Sequence, residues 1–377
     1  MSYSSAGSYF HAQLALHQHG IPVERRQYFP YPFPMKIVSG RVVALVTTVC
    51  AFLLAACSGA DSAARDGSAD STFSVALLTP GPISDHSWNA GAYQGLVRIR
   101  DSLGAHISHI QVKTPADFEE NFRQYGAQHY DLVFGHGFEF QDAASRVGPE
   151  FPNTIYITTS GNRFGKNVAP MVFGFEEPSY LAGVLAGSLT KSKIIGMIGG
   201  TQLPPVASSF LAFEAGVHSV DPKIEVLTSY IGSWEDASAG KEQAIAQIQR
   251  GADLIFQNAD AAGLGIFQAA KEAKNVYVFG TNSNQNSIAP AVIVASVVID
   301  LPHAFLTVAR QVKEGRFQSK IIYLGTSTGV VKLVLNPALD SLVPPPLHTR
   351  LDSVRDAIEA GTVRPPRLEF VDTIPTH

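Results

Sequence analysis

From residue 73 to residue 335, short β-rich runs alternate with longer stretches of helical pattern, and no other feature of the chain constrains its fold as tightly. Such alternation is the signature of a parallel sheet, because each parallel strand is joined to the next by a crossover that is usually a helix. The runs that read as strands are 73–78, 105–111, 132–134, 154–158, 168–173, 194–198, 223–230, 254–257, 276–279, 291–297 and 330–335. Eleven strands exceed one ordinary sheet, so an α/β architecture of more than one sheet is expected. Helical pattern covers 88–103, 117–125, 138–147, 180–190, 208–220, 237–250, 264–274 and 302–314. In the helix from Ala237, the apolar residues Ala237, Ala244, Ile245 and Ile248 predict a buried stripe, and Gly251 a C-terminal stop.

The two halves echo each other. Asp131 precedes Leu132-Val-Phe, which ends in Gly135-His-Gly-Phe and enters a helix; Asp253 precedes Leu254-Ile-Phe, which ends in Gln257-Asn-Ala-Asp and enters another. Paired units of this kind predict two similar lobes, and the carboxyl ends of such strands are where open α/β sheets take ligands.

Ahead of this region the chain carries export signals. Lys36 and Arg41 lead into the apolar run 42–54, followed by Ala55, Ala56 and Cys57, which is the order of a signal peptide. The run is shorter than the roughly 20 residues of a membrane span. Leu54-Ala55-Ala56-Cys57 resembles the bacterial lipobox, which implies cleavage before Cys57 and attachment of lipid to it; a buried helix with an incidental thiol is the alternative. Residues 57–72, rich in Ser, Gly, Ala and Asp, then read as a flexible tether. Residues 1–34 show no signal-like order, and a start at Met35 would put the two cations directly before the apolar run. The expected segments are an upstream extension 1–34, a signal peptide 35–56, a tether 57–72, a first lobe 73–190 plus 292–325, and a second lobe 191–291 plus 326–377.

Charge and motif content narrow the function. The formal charge is −4, and loss of residues 1–56 leaves 24 Lys plus Arg against 31 Asp plus Glu, a balance of −7, the wrong sign for a nucleic-acid groove. The two cysteines, Cys50 and Cys57, cannot make a four-thiolate zinc site, and the histidines lack ligand spacing, so no metal and no cofactor are expected. Asp85-His86-Ser87 has the residue types of a catalytic triad, but consecutive residues do not reach its geometry. The G-x-S-x-G, P-loop and H-E-x-x-H patterns are missing, and Gln268 breaks the dinucleotide fingerprint that Gly263-Leu-Gly begins. A binding protein is expected rather than an enzyme.

The two tryptophans of the chain both fall in polar, loop-like text, Trp88 after the first strand and Trp234 after a strand of the second half. Placed on equivalent loops of two lobes they would face one cleft and stack on a flat ligand; packing at the lobe edges is the competing reading. Asp85 and Asn89, four apart, could meet the edge of a purine, or Asp85 or Ser87 could simply cap a helix.

An ordered set of landmarks carries a resemblance. Ile83-Ser-Asp-His-Ser-Trp-Asn, Asp131-Leu-Val-Phe-Gly-His-Gly-Phe, Glu177-Pro-Ser-Tyr-Leu-Ala-Gly-Val-Leu-Ala-Gly, Phe213-Glu-Ala-Gly-Val, Tyr230-Ile-Gly-Ser-Trp-Glu-Asp, Gly251-Ala-Asp-Leu-Ile-Phe, Gly263-Leu-Gly-Ile-Phe-Gln-Ala-Ala-Lys-Glu and Ser296-Val-Val occur in sequence. Between about residues 73 and 364 the chain resembles the basic membrane protein family of lipoprotein receptors. The resemblance implies a type I periplasmic-binding-protein fold, with two lobes joined by three crossings and closing as a hinge. It further implies a purine nucleoside or similar planar heterocycle as ligand, an ABC permease and ATPase as partners, and anchorage to a bacterial membrane through the lipid on Cys57. The candidate binding residues are Asp85, Trp88, Asn89, Gly137, Phe138, Trp234, Asp236, Asp260 and Asn282, with Asp260 put forward where the sequence departs from the family pattern. The sequence departs from the family pattern where G-V-D-S-D-Q becomes Gly280-Thr-Asn-Ser-Asn-Gln, where a lysine becomes Ile299, and where A-G-G-T-G becomes Ala259-Asp-Ala-Ala-Gly. Asp260 is expected to take over from Asn282 the recognition of ribose hydroxyls. A different planar ligand, a surface sensor on the same scaffold and a nucleoside-processing enzyme are the alternatives.

Overall fold

The computed structural model of the chain describes residues 72–368, so the expected signal peptide, Cys57 and most of the tether lie outside the described residues. The alternation of the sequence resolves into two six-stranded sheets. The first runs in the order β11 (Ile322–Leu324), β5 (Val168–Phe173), β4 (Ile155–Thr159), β3 (Leu132–Gly135), β1 (Ser74–Thr79) and β2 (His106–Gln111). The second runs β12 (Val331–Leu335), β10 (Ile293–Ile299), β9 (Tyr277–Asn282), β8 (Leu254–Asn258), β6 (Ile194–Gly199) and β7 (Glu225–Tyr230). Every pairing is parallel except β10 with β12. In both sheets the first strand in chain order sits between the second and the third, so the order reverses at β1/β3 and again at β6/β8. Those reversals open a crevice at the carboxyl ends of the strands.

Nine helices cover the sheets: α1 (Trp88–Leu103), α2 (Pro115–Ala127), α3 (Gln141–Val147), α4 (Glu176–Leu189), α5 (Pro204–Val220), α6 (Ala237–Gln249), α7 (Gly263–Glu272), α8 (Leu301–Lys313) and α9 (Pro345–Glu359), counted among the described residues. The chain passes between lobes after β5, after β10 and between β11 and β12. This corrects the expected lobe boundaries. Helix α4, assigned above to the first lobe, packs on α5 and α9, and β10, assigned to the first lobe from residue 292, pairs with β9 and β12 in the second sheet. Sheet membership is decided by pairing across the fold, which local sequence does not carry.

Close approach of α4 and α5 explains two of the landmarks. A Cβ on Gly183 would collide with the carbonyl of Phe213, and one on Gly216 with the carbonyl of Tyr180, so each helix lays its backbone against the other only where the facing residue is glycine. The repeated aspartates are structural. Asp131 accepts hydrogen bonds from the backbone N–H (2.7 Å) and hydroxyl (2.8 Å) of Ser74 at the start of β1. Asp253 accepts from the Thr190 hydroxyl and the Lys191 N–H, both at 2.7 Å, beside the start of β6. The stripe expected on α6 is rotated: Ile245 is exposed, while Gln247 is buried because its amide donates to Met197 O (3.0 Å) and Ser229 Oγ (3.1 Å). With its amide nitrogen paired in this way, a polar side chain takes a core position that hydrophobic periodicity would deny it.

Candidate functional site

The β1–α1 loop delivers Trp88 as the first residue of α1. Asp85 fixes that position. One of its carboxylate oxygens accepts from Ser87 N (3.0 Å) and Ala90 N (2.9 Å), and the other from Asn89 N and Asn89 Nδ2 (both 2.8 Å), so it satisfies the donors that a helix start leaves unpaired. Trp88 lies over the imidazole of His136, with ring centres 4.0 Å apart and planes at 23°, and meets the edge of Phe173 at 5.9 Å. His136 is fully buried, and burial pushes its pKa down to about 3, so the supporting ring is a neutral imidazole.

The β3–α3 loop follows with Gly137, Phe138 and Glu139 on the cleft wall. Glu139 folds its carboxylate back over Gly137, where a Cβ would strike it. From the second lobe come Asn258 at the end of β8, Asp260 just after it, Asn282 at the end of β9 and Trp234 after β7. These residues, with Trp88 and Asn89, line one cavity of about 1090 Å³. Trp234 rests on Gly200, the residue after β6. The loops of the two tryptophans are therefore not equivalent: Trp88 follows the first strand of its lobe and Trp234 the second strand of its own. The rings still share the cleft because both loops leave carboxyl ends on the same side of their sheets.

A polar junction joins the lobes beside Trp88. Ser87 Oγ donates to Asp260 Oδ1 (3.1 Å), Asn282 Nδ2 donates to the same oxygen (3.1 Å), and Ser283 Oγ donates to His86 O (2.7 Å). The Trp88 N–H also donates to Asp260, so a carboxylate of the second lobe sits at the start of the first helix of the first lobe. Burial, and then the neighbouring charge of Asp85, raise the pKa of Asp260 to about 7; the donated hydrogen bonds oppose that rise. Further along the mouth, Lys113 and Glu235 form an ion pair across the cleft at 3.5 Å. Of the seven non-glycine residues with positive φ among the described residues, four, His86, Ser160, Asp260 and Asn282, stand at or beside the cleft.

The expected site residues divide by position. Trp88, Asn89, Gly137, Phe138, Trp234, Asp260 and Asn282 come together on the cleft wall. Asp85 lies behind it, buried, with both oxygens committed to the loop and to α1. Asp236 does not reach the cavity: it is an exposed N-cap that accepts from Ala239 N at 2.9 Å. Ile299, where the family pattern has lysine, lines the cavity as an apolar residue. Three cavity residues escape the sequence reading, Lys113, Glu139 and Arg367, and Ser87, read there as a possible helix cap, joins the lobes through Asp260. Arg367 belongs to a segment, 364–368, that returns from α9 to the cleft. Its guanidinium stands 3.7 Å from Glu176 and over the Tyr323 ring, and the next residue, Leu368, donates its N–H to Ser208 Oγ (3.2 Å).

Two sheets with reversing strand order, three crossings and a cleft walled by both lobes define a two-lobed solute-binding architecture. Residues 72–361 match the PnrA-like ABC transporter substrate-binding proteins, and the chain belongs to that family. It is 28% identical over 330 residues to the ABC transporter nucleoside-binding protein BmpA of Lactococcus lactis, spanning 81% of this chain and 93% of that protein. It is 25% identical over 292 residues to a purine-binding protein of Brucella abortus, spanning 77% and 80% of the two chains. A solute-binding protein of an ABC transporter system from Aeropyrum pernix superimposes with a TM-score of 0.72 over 78% of this chain and 92% of its own, at 21% identity, which speaks for the fold. Among the described residues no group of His, Cys, Asp and Glu is placed to hold a metal ion, and no helix is long and apolar enough to cross a membrane.

Proposed function

We propose that the chain captures a purine nucleoside between its lobes and presents it to an ABC permease and its ATPase, held at a bacterial membrane by lipid on Cys57. The observation that carries this reading is the shared cavity: one indole from each lobe lines it, at the crevice where such folds take ligands. The base enters between Trp88 and Trp234, each stack contributing about 1–3 kcal/mol. Asp260 and Asn282, hydrogen bonded to each other, form the corner that meets the ribose hydroxyls in place of the acid and lysine of the family pattern. Work is done by binding and lobe closure, with no bond made or broken. The names of the two relatives, nucleoside-binding and purine-binding, support the ligand class.

A thermal-shift panel of purine nucleosides, pyrimidine nucleosides and free bases tests the ligand. Purine nucleosides should give the largest stabilisation; no shift with any nucleoside, and a clear one with another compound, refutes the reading. Incubation with nucleosides should release no free base. Mass spectrometry of the mature N-terminus should find a lipid-modified Cys57, and an unmodified cysteine with an intact upstream segment refutes the anchor.

A further inference from the structure

The carboxylates on the cleft wall are not equally engaged. Glu176 faces Arg367 and Glu235 faces Lys113, while Asp260 is held by Ser87 and Asn282. Asp85, the acid that the sequence offers first for reading a base edge, has spent both oxygens on the start of α1. Glu139 remains. It lines the cavity two residues after Gly137, on the loop whose His136 supports Trp88, and no cation faces it among the described residues. Among the described residues its carboxylate receives its own backbone N–H and no other donor, and burial pushes its pKa up. A second observation points the same way: Asn89 Oδ1, on the same wall and in a side chain 2% exposed, has no hydrogen-bond partner among the described residues, while its amide nitrogen donates to Asp85. A buried acceptor without a donor is costly unless a ligand supplies one. The first-lobe wall therefore presents acceptors in want of donors.

We infer that Glu139 sets the base preference, accepting two parallel hydrogen bonds from a ring N–H and the adjacent exocyclic amine, the donor pair of a guanine-type nucleoside. The inference rests on the nucleoside reading above and sharpens it. The two donors of the ligand favour the ionised form against the pull of burial, and an ionised carboxylate is acceptor-only and suits two side-by-side donors. Adenine offers one donor beside a ring nitrogen that only accepts, and that nitrogen would face a carboxylate oxygen. Hypoxanthine offers the ring N–H and leaves the second oxygen unmatched. Sites built around a hydrogen-bonding group reject analogues that leave it unpaired. Glutamine at this position would present one acceptor and one donor, the complement of adenine.

Calorimetric titration of the full-length chain in detergent, as wild type and as Glu139→Gln, with guanosine, inosine, adenosine and ribosylpurine, tests this. The wild type should bind guanosine about 10-fold more tightly than inosine and about 100-fold more tightly than adenosine. Glu139→Gln should lose about 10- to 100-fold for guanosine and narrow or reverse the gap to adenosine. Ribosylpurine, which has no donor on its base, should bind both proteins alike and so reports that the variant is folded. Nucleoside binding by the wild type with no preference for guanosine, or with equal losses for all four ligands in the variant, overturns the assignment to Glu139 and leaves the nucleoside reading standing. No binding of any of the four by the wild type overturns both.

Discussion

Gly200 offers a way to disturb one wall of the cleft without touching the ligand or the core. A Cβ built on it falls 2.5 Å from Cζ3 and 2.9 Å from Cδ2 of Trp234, and nearer still to Cε3, whereas ordinary contact begins at 3.4 Å. The indole must therefore retreat by at least 0.9 Å in Gly200→Ala. The three nearest atoms all belong to this one half-buried side chain, so the ring can swing rather than force the backbone. A stacked ring displaced by that much loses a large part of its contact, because dispersion falls steeply over the first ångström of separation. With a stack contributing about 1–3 kcal/mol, the dissociation constant for a purine nucleoside should rise roughly 5- to 100-fold. Calorimetry gives the affinity, and a thermal melt without ligand should move little. Unchanged affinity, with near-ultraviolet circular dichroism confirming that the indole has moved, would refute the role of Trp234 as a stacking wall. A fall in melting temperature without ligand that matches the affinity loss would show instead that the ring is a structural prop.

Three further outcomes follow from the same geometry. Asp85→Ala leaves the first N–H groups of α1 unpaired and should cost roughly 2–3 kcal/mol in urea unfolding, with a smaller loss of affinity than either tryptophan variant shows; a stable protein that cannot bind would place Asp85 on the ligand after all. Trp88→Ala should both weaken binding and lower the melting temperature, since the ring also packs on His136 and Phe173, and Trp234→Ala should mainly weaken binding; equal melting temperatures for the two variants would count against this. Raised in the fold to about 7, Asp260 contributes stability that is present below about pH 4 and lost as pH rises through 7, whereas His136, lowered to about 3, makes stability rise with pH up to about 6.5. The two slopes oppose each other, so the wild-type melting temperature should be nearly flat from pH 4 to 6.5. In Asp260→Asn it should climb across that window, and parallel profiles would sink the reading.

Most strands were legible because each is a short apolar run closed by glycine or polar text. β11 was not: three residues at a sheet edge, with Tyr323 exposed, carry no pattern. α9 was missed because only Leu347, Leu351 and Ile358 of its fifteen residues are buried, too sparse a stripe to stand out between prolines. At the site, residue type found the tryptophans, and the family resemblance found Asp260 after β8 and Asn282 at the end of β9. Residue type could not tell a carboxylate that faces the cleft from one that caps a helix behind it, since Asp85, Asp236 and Glu139 differ only in which donors the fold brings to them. The signal for Glu139 was present as an acid directly after Gly137-Phe138 at the end of a buried strand, a position that opens on the crevice in this fold.

The returning segment has a practical consequence for anyone making this protein. With Arg367 and Leu368 in the wall of the cavity, an affinity handle or fluorescent fusion joined downstream of them would pull on the contacts to Glu176 and Ser208 at the binding site. Handles are better placed in the tether between Cys57 and Phe73, because the chain enters β1 at Ser74, at the end of the strand opposite the cleft.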